Sequence, residues 1–203
     1  MSLTDDTAWV GSSAVARTAD PQLRLELLDR VVAYLVQNGL AQTTLRPMAK
    51  QLGVSINRLV HHFGSKDELI TAALARAIDL QVGVQAGWLR RNPEITQIAL
   101  YRKWWRWINA NPANLGMVRL NYEAAALDTT VTGLAGEVRA DQIGVWRHDI
   151  ERRLVSEGLS AQHAAIEASL MKATFTGLVM DLLATGDKAR LTDAFNEWLD
   201  RIA

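Results

Sequence analysis

Three groups of side chains in this sequence have types and spacings that can do chemistry. The first is polar and compact: Thr44, Arg46, Ser55, Asn57, Arg58, His61 and Lys66 fall within a short stretch. Asn holds adenine and Arg holds guanine through two hydrogen bonds each, while hydroxyls and ammonium groups donate to phosphate oxygens. The second group is aromatic. Of seven tryptophans, three crowd into Tyr101-Arg102-Lys103-Trp104-Trp105-Arg106-Trp107, where rings can stack on bases, lie on a membrane surface or wall a cavity. The third group is the four histidines, His61, His62, His148 and His163. His148 shares a helix face with Glu151, and His163 with Glu167, but no histidine has a Glu three residues before it, as a di-iron bundle requires. Gly-x-Ser-x-Gly elbows, His-Glu-x-x-His pairs and phosphate loops are all missing. The chain has no cysteine, which excludes disulfides, thiolate zinc sites and thiol nucleophiles. The expectation is a non-enzyme with no cofactor and no metal.

The elements that must position these groups read as helices throughout. Leu28, Val31, Val32 and Leu35 recur at i, i+3, i+4, i+7, one buried stripe on a helix over about 21–37. Asn38-Gly39 closes it. Thr44 is placed to cap a short helix carrying Leu45, Met48, Ala49 and Leu52, with Pro47 tolerated in its first turn. Gly53-Val54 then turns the chain, and Ser55 caps a second short helix ending near Phe63. Gly64 breaks again, and Ser65 with Glu68 forms a capping box that launches a long helix to about 88. Further helices are expected over about 94–109, 113–127, 131–157, 160–184 and 188–202. No stretch alternates with period two for long enough to be a strand. The fold class is therefore all-α: a small head over 21–69 on a larger helical body over 70–203, after an N-terminal arm, 1–20, rich in Ser, Thr, Asp and Gly.

Two short helices joined by a tight Gly-containing turn match a helix-turn-helix, whose second helix lies in the DNA major groove. Asn57, Arg58 and His61 stand at the reading end of that second helix. The stretch Thr43-Thr44-Leu45-Arg46-Pro47-Met48-Ala49, then Gly53-Val54-Ser55, then Leu59-Val60-His61-His62-Phe63-Gly64-Ser65-Lys66-Asp67-Glu68-Leu69 resembles the tetracycline-repressor (TetR) family of bacterial regulators. The resemblance covers about forty-five residues. It implies a homodimer, an N-terminal head bound to palindromic double-stranded operator DNA, and a C-terminal domain whose small-molecule effector changes the separation of the heads and releases DNA. It also implies DNA contacts from Thr44, Arg46, Ser55 and Lys66. Where the family commonly has Leu-Tyr-Tyr-His-Phe, this chain has Leu59-Val60-His61-His62-Phe63, and Val60 cannot make a tyrosine hydroxyl's bond to phosphate. A helical ligand-binding or interaction protein of the same fold that does not bind DNA is the alternative.

Helix geometry sorts the aromatic group. At ~100° per residue, Trp107, Leu100, Trp104, Ile108, Tyr101, Trp105 and Ile98 fill one arc, while Arg102, Lys103 and Arg106 fall opposite. This is an amphipathic helix, not a strand-binding platform. Its arc can serve as core or as the wall of a cavity for an apolar or aromatic effector. The residues named for that cavity are Tyr101, Trp104, Trp105, Met117, Tyr122, Trp146, Met171 and Phe175, with His148 as a polar anchor. The last two helices read as a dimer interface. Ala164, Ala168, Met171, Phe175, Leu178, Val179 and Leu182 make the first apolar on more than one side, and Leu191, Ala194, Phe195, Trp198, Leu199 and Ile202 stripe the second.

Charge separates the two regions. Formal net charge is zero, yet from Arg30 to Lys66 there are five Lys+Arg and no Asp or Glu. Everything else is acidic by five. Overall neutrality excludes a general nucleic-acid coat, and a locally basic head favours phosphate at one end. No basic start followed by an apolar run marks an export signal. The most apolar late segment, 164–184, is broken by Glu167, Lys172 and Asp181, short of the ~18 uninterrupted apolar residues of a membrane span. The chain is expected to be cytoplasmic, without a membrane partner.

Overall fold

In the computed structural model, residues 21–41, 43–128 and 136–203 are described, with side chains for 21–41, 43–126 and 146–203. The described residues form helices and connecting turns. They are α1 (Pro21–Asn38), α2 (Leu45–Leu52), α3 (Ile56–Phe63), α4 (Lys66–Arg91), α5 (Gln97–Ala110), α6 (Pro112–Asp128), α7 (Gly136–Ser156), α8 (Ala161–Thr185) and α9 (Lys188–Arg201). The arm expected over 1–20, and the start of the helix expected at 131, lie outside the described residues.

The head packs as its stripes demand. Leu28, Val31, Val32 and Leu35 of α1 are all buried, joined by Met48, Ala49 and Leu52 of α2, Leu59 and Phe63 of α3, and Leu69, Ala73 and Ala77 of α4. Each such Val, Leu, Met or Phe side chain contributes about 1.5–3 kcal/mol by leaving water. The turn between α2 and α3 uses Gly53 at φ 64°, with its N–H returned to the carbonyls of Ala49 and Lys50. Val54 plugs this turn, half-buried against the head core. Thr44 occupies the N-cap position of α2, but its side chain makes no capping bond. Ser55 and Ser65 do cap: Ser55 Oγ accepts from Arg58 N at 3.1 Å, and Ser65 with Glu68 completes the capping box. The Ser65 N–H and hydroxyl hold the Glu68 carboxyl below its ordinary pKa.

The boundary drawn at 69/70 falls inside α4, a continuous helix from head to body. By length and composition α4 could cross a bilayer. Here one stripe of it, with Leu69, Ala73 and Ala77, is buried against the head, and Arg76 clasps Asp29 of α1 through bonds of 2.7 and 3.2 Å. Helix α6 forms a second tie between the regions. Gly116 lets α6 approach α1 so closely that a Cβ there would lie 2.9 Å from the Val36 carbonyl oxygen. One turn on, Arg119 donates to that carbonyl at 2.9 Å and pairs with Glu123 at 3.0 Å. Glu123 in turn accepts from Leu40 N at 2.7 Å.

The body holds two further clusters. One joins α5 to α9 through Trp105, Ile108, Ile150, Leu154, Ala164, Ala168, Met171, Phe195 and Leu199. The other surrounds Trp104 at the far end of α4, with Leu100 and Ile95. Helix α5 starts at Gln97 rather than 94 because Thr96 takes the cap, accepting from Ala99 N at 3.3 Å, while Ile95 turns into this cluster.

Candidate functional site

Two places in the molecule present chemistry, one on its surface and one inside. The surface site is built on α2, α3 and the first residue of α4. Burial of Leu59 and Phe63 on one side of α3 leaves Asn57, Arg58, Val60 and His61 on the other. Thr44, Arg46, Ser55 and Lys66 are exposed as well, so all seven residues named from the sequence reach solvent. Because Ser55 Oγ serves α3 as an acceptor, its hydroxyl hydrogen remains available to donate. Thr44, free of capping duty, has donor and acceptor both available.

Sequence reasoning missed three contributors here. Lys50 is exposed on α2, one turn after Arg46, and was legible as part of the acid-free run. Arg24 of α1 donates to the His62 carbonyl at 3.2 Å and lies 4.9 Å over the Phe63 ring, placing a cation at the C-terminus of α3 where the helix dipole favours it. His62 packs edge-on to His61 at 5.3 Å, and its buried Nδ1 has no hydrogen-bond partner. Desolvation, followed by the charges of His61, Arg58 and Arg24, lowers its pKa from the ordinary 6.5. Arg30, counted in the basic run, is spent internally on the Leu52 carbonyl that ends α2.

The interior site is a cavity of about 660 Å³ bounded by α4, α5, α6, α7 and α8. Of the nine residues named for it, Tyr101, Trp104, Tyr122, Trp146 and Phe175 line it together. Trp104 is the centre of an aromatic cage, with Trp88, Trp107 and Trp146 edge-on at 5.0, 5.2 and 5.4 Å. The other four stand elsewhere. Trp105 faces α9, stacked on Phe195 at 4.7 Å and donating to Thr192 Oγ1 at 3.1 Å. Met171 is core, Met117 lines a separate groove against α1, and His148 is exposed beside Arg147.

What the sequence reading missed is the cavity's polar lining. Gln81, Gln85 and Gln97 are buried and face it, with Asn121, Thr176 and Lys172. Trp104 Nε1 donates to Gln85 Oε1 at 2.7 Å, and Asn121 Nδ2 to Gln81 Oε1 at 3.2 Å. Asn121 Oδ1 is buried with no donor. Burial also raises the pKa values of Tyr101 and Tyr122, and the Tyr122 hydroxyl bonds Thr176. The glutamines had a signal: Leu69, Ala73, Ala77, Gln81 and Gln85 repeat every four residues, and polar groups continuing a buried stripe are the informative exception. Among the described residues no group of three or more His, Cys, Asp or Glu could hold a metal ion.

A third surface is apolar without cover. On α8, Ile166, Leu170 and Met180 are 51%, 55% and 46% exposed. Ala173, Gly177 and Ala184 are exposed between and beyond them, so one stripe runs the length of the helix. The expected stripe of α9 divides instead: Leu191, Phe195 and Leu199 are buried, Trp198 is half-buried, and Ala194 and Ile202 stay outside.

Comparison with known proteins decides the class of the head. The sequence profile described as bacterial regulatory proteins, tetR family, matches residues 27–73, which spans the buried head stripe, the helix-turn-helix and the start of α4. Residues 27–73, the head, thus match the tetR-family profile. The HTH-type transcriptional repressor KstR2 of Mycobacterium tuberculosis is 38% identical over 56 residues, a stretch that spans 28% of either chain. For the whole chain the likeness is one of fold. A TetR transcriptional regulator from Legionella pneumophila superposes with a TM-score of 0.75 at 13% identity, covering 92% of this chain and 98% of that one. A multidrug binding protein, EbrR, solved with proflavin, gives 0.58 at 19% identity, covering 89% and 99%. The chain thus resembles these regulators in its head by sequence and in its body by architecture.

Proposed function

We propose that this chain is a TetR-family regulator, cytoplasmic and ligand-responsive, a repressor that releases its operator when a small effector fills the body cavity. The observation that carries the reading is the head: seven donor or base-reading side chains, all exposed on the helix-turn-helix and the first residue of α4, within a stretch that holds no acid. On this reading α3 enters the major groove, Asn57 and Arg58 read bases, His61 contacts base or phosphate, and Thr44, Arg46, Ser55 and Lys66 fix the register on phosphates. The protein acts as a homodimer through α8 and α9. The uncovered α8 stripe supports this, since a two-fold partner presenting the same stripe would bury it. Two heads related by that axis call for a palindromic operator. EbrR, of similar fold, was solved with the planar aromatic proflavin, which agrees with an apolar or aromatic effector among the tryptophans here.

Coupling follows from helices that face both sites. Asn121 and Tyr122 line the cavity, while Arg119 and Glu123, on the same turns of α6, hold the end of α1. Helix α4 does the same with Gln81 and Gln85 at one end and Leu69 and Ala73 at the other. A ligand that shifts either helix moves the head, and the shift cannot exceed its differential affinity for the two arrangements.

Mobility shift of the ligand-free protein on pooled promoter fragments, at two salt concentrations, tests the reading. Salt-sensitive retention of a few related fragments is expected. Retention of none, with the protein folded, favours the same-fold binding protein without DNA activity, the reading to which exposed Val60 points.

A further inference from the structure

We infer that the effector is an anion with an aromatic or ring-bearing body, its acidic group paired with Lys172. The inference rests on the effector-cavity reading above and names the chemistry of that site. The walls supply the first half: Trp104, Trp146, Phe175, Leu100 and Ile150 line one continuous cavity, and flat rings between such surfaces gain both burial and edge contacts.

The charges supply the second half. Among the described residues, Arg152, Arg153 and Lys172 line the cavity with one acid, Asp149. Asp149 is taken by Arg152. Arg153 donates to the Ile95 carbonyl at 2.9 Å, and Arg147, next to this wall, pairs with Glu151 at 2.7 Å. Lys172 has no carboxylate partner among the described residues. It is half-buried, and burial together with the Arg147 charge lowers its pKa. A cation held partly out of water beside the Arg147 charge is costly by itself and is stabilised by an anion that enters. Lys172, Phe175 and Thr176 share one face of α8, so the acid end lies beside a ring and beside the hydroxyl that Tyr122 engages. Asn121 Oδ1, buried without a donor on the same cavity, adds a requirement: the effector also carries a hydroxyl or N–H.

Two probes with the same rings separate the terms: anilinonaphthalene sulfonate, which is anionic, and N-phenylnaphthylamine, its neutral counterpart. Each is titrated by fluorescence into the full chain and into Lys172→Met, Lys172→Gln and Lys172→Arg. Loss of the cation should weaken the sulfonate about tenfold or more and the neutral amine by less than about threefold, because charged hydrogen bonds exceed neutral ones. Lys172→Arg should restore the sulfonate. Equal losses for both probes, or no selective loss of the sulfonate in either Met or Gln variant, overturn the anion assignment while leaving the cavity reading intact. If neither probe binds the wild-type chain, the cavity reading itself falls and this inference with it.

Discussion

The head and the body solve opposite problems with the same secondary structure. In the head, apolar groups go inward and every recognition group goes outward, so the site is a surface whose shape comes from caps and from the positive-φ glycines Gly53 and Gly64 that end α2 and α3. In the body, polar groups go inward to a cavity and are held there by each other, as Gln81 holds Asn121 and Gln85 holds Trp104. The comparison teaches that a surface reader can be made by forty neighbouring residues, whereas an interior site needs five helices to agree. It also separates how each breaks, since the head fails by losing its scaffold and the body by losing its lining.

The sharpest break is Leu59→Ala. Leu59 is fully buried beneath α3, and truncating it should cost about 2–5 kcal/mol. Melting should shift downward and operator binding should collapse, while the neutral naphthylamine still binds at temperatures where the body stays folded. Equal loss of both activities would mean that head and body are one cooperative unit. Arg58→Ala comes next, with about 1–3 kcal/mol of operator affinity lost and one operator position relaxed, stability being unchanged because the Arg58 side chain is exposed. Selection on randomised operators measures both effects. Gly53→Ala should destabilise the head by about 1–2 kcal/mol, the cost of a side chain in the left-handed region, with nothing nearby for the new Cβ to strike. Chemical denaturation reads that value, and an unchanged midpoint would show that the turn is not under backbone control.

The smallest effect is one of pH. The folded-state pKa of His62 is lowered, so the folded head prefers the neutral ring. Its contribution is present above the ordinary value of 6.5 and is lost as pH falls from there toward the lowered value. Melting at pH 7.5 and pH 5.5 should show a larger drop for the wild type than for His62→Gln. Equal drops would remove His62 from the account.

Much of the head was legible because its determinants are local. Ser55, Ser65-Glu68, Gly53 and the α1 stripe act on neighbours three or four residues away, and the structure places each as expected. Thr44 is the exception: its position is the cap, yet its hydroxyl takes no capping bond, and sequence alone does not choose between those fates. The body was legible only in part. Tyr101 and Trp104 face the cavity while Trp105, on the same arc, stacks on Phe195, and that division depends on where α9 lies. Lys172 read as an interruption of an apolar segment, and its role as an unmatched charge became visible only when Arg147, Arg152 and Arg153 were found to be engaged by other partners.

The sequence by itself determined an all-helical chain, the helix-turn-helix, and a basic reading face set apart from an acidic remainder. Periodicity, capping and charge are properties of residues close along the chain. The tertiary structure decided which rings wall the cavity, which glutamines line it, and that α4 and α6 serve both regions. Those follow from which helices lie side by side, and packing of distant segments leaves no local trace in the order of the residues.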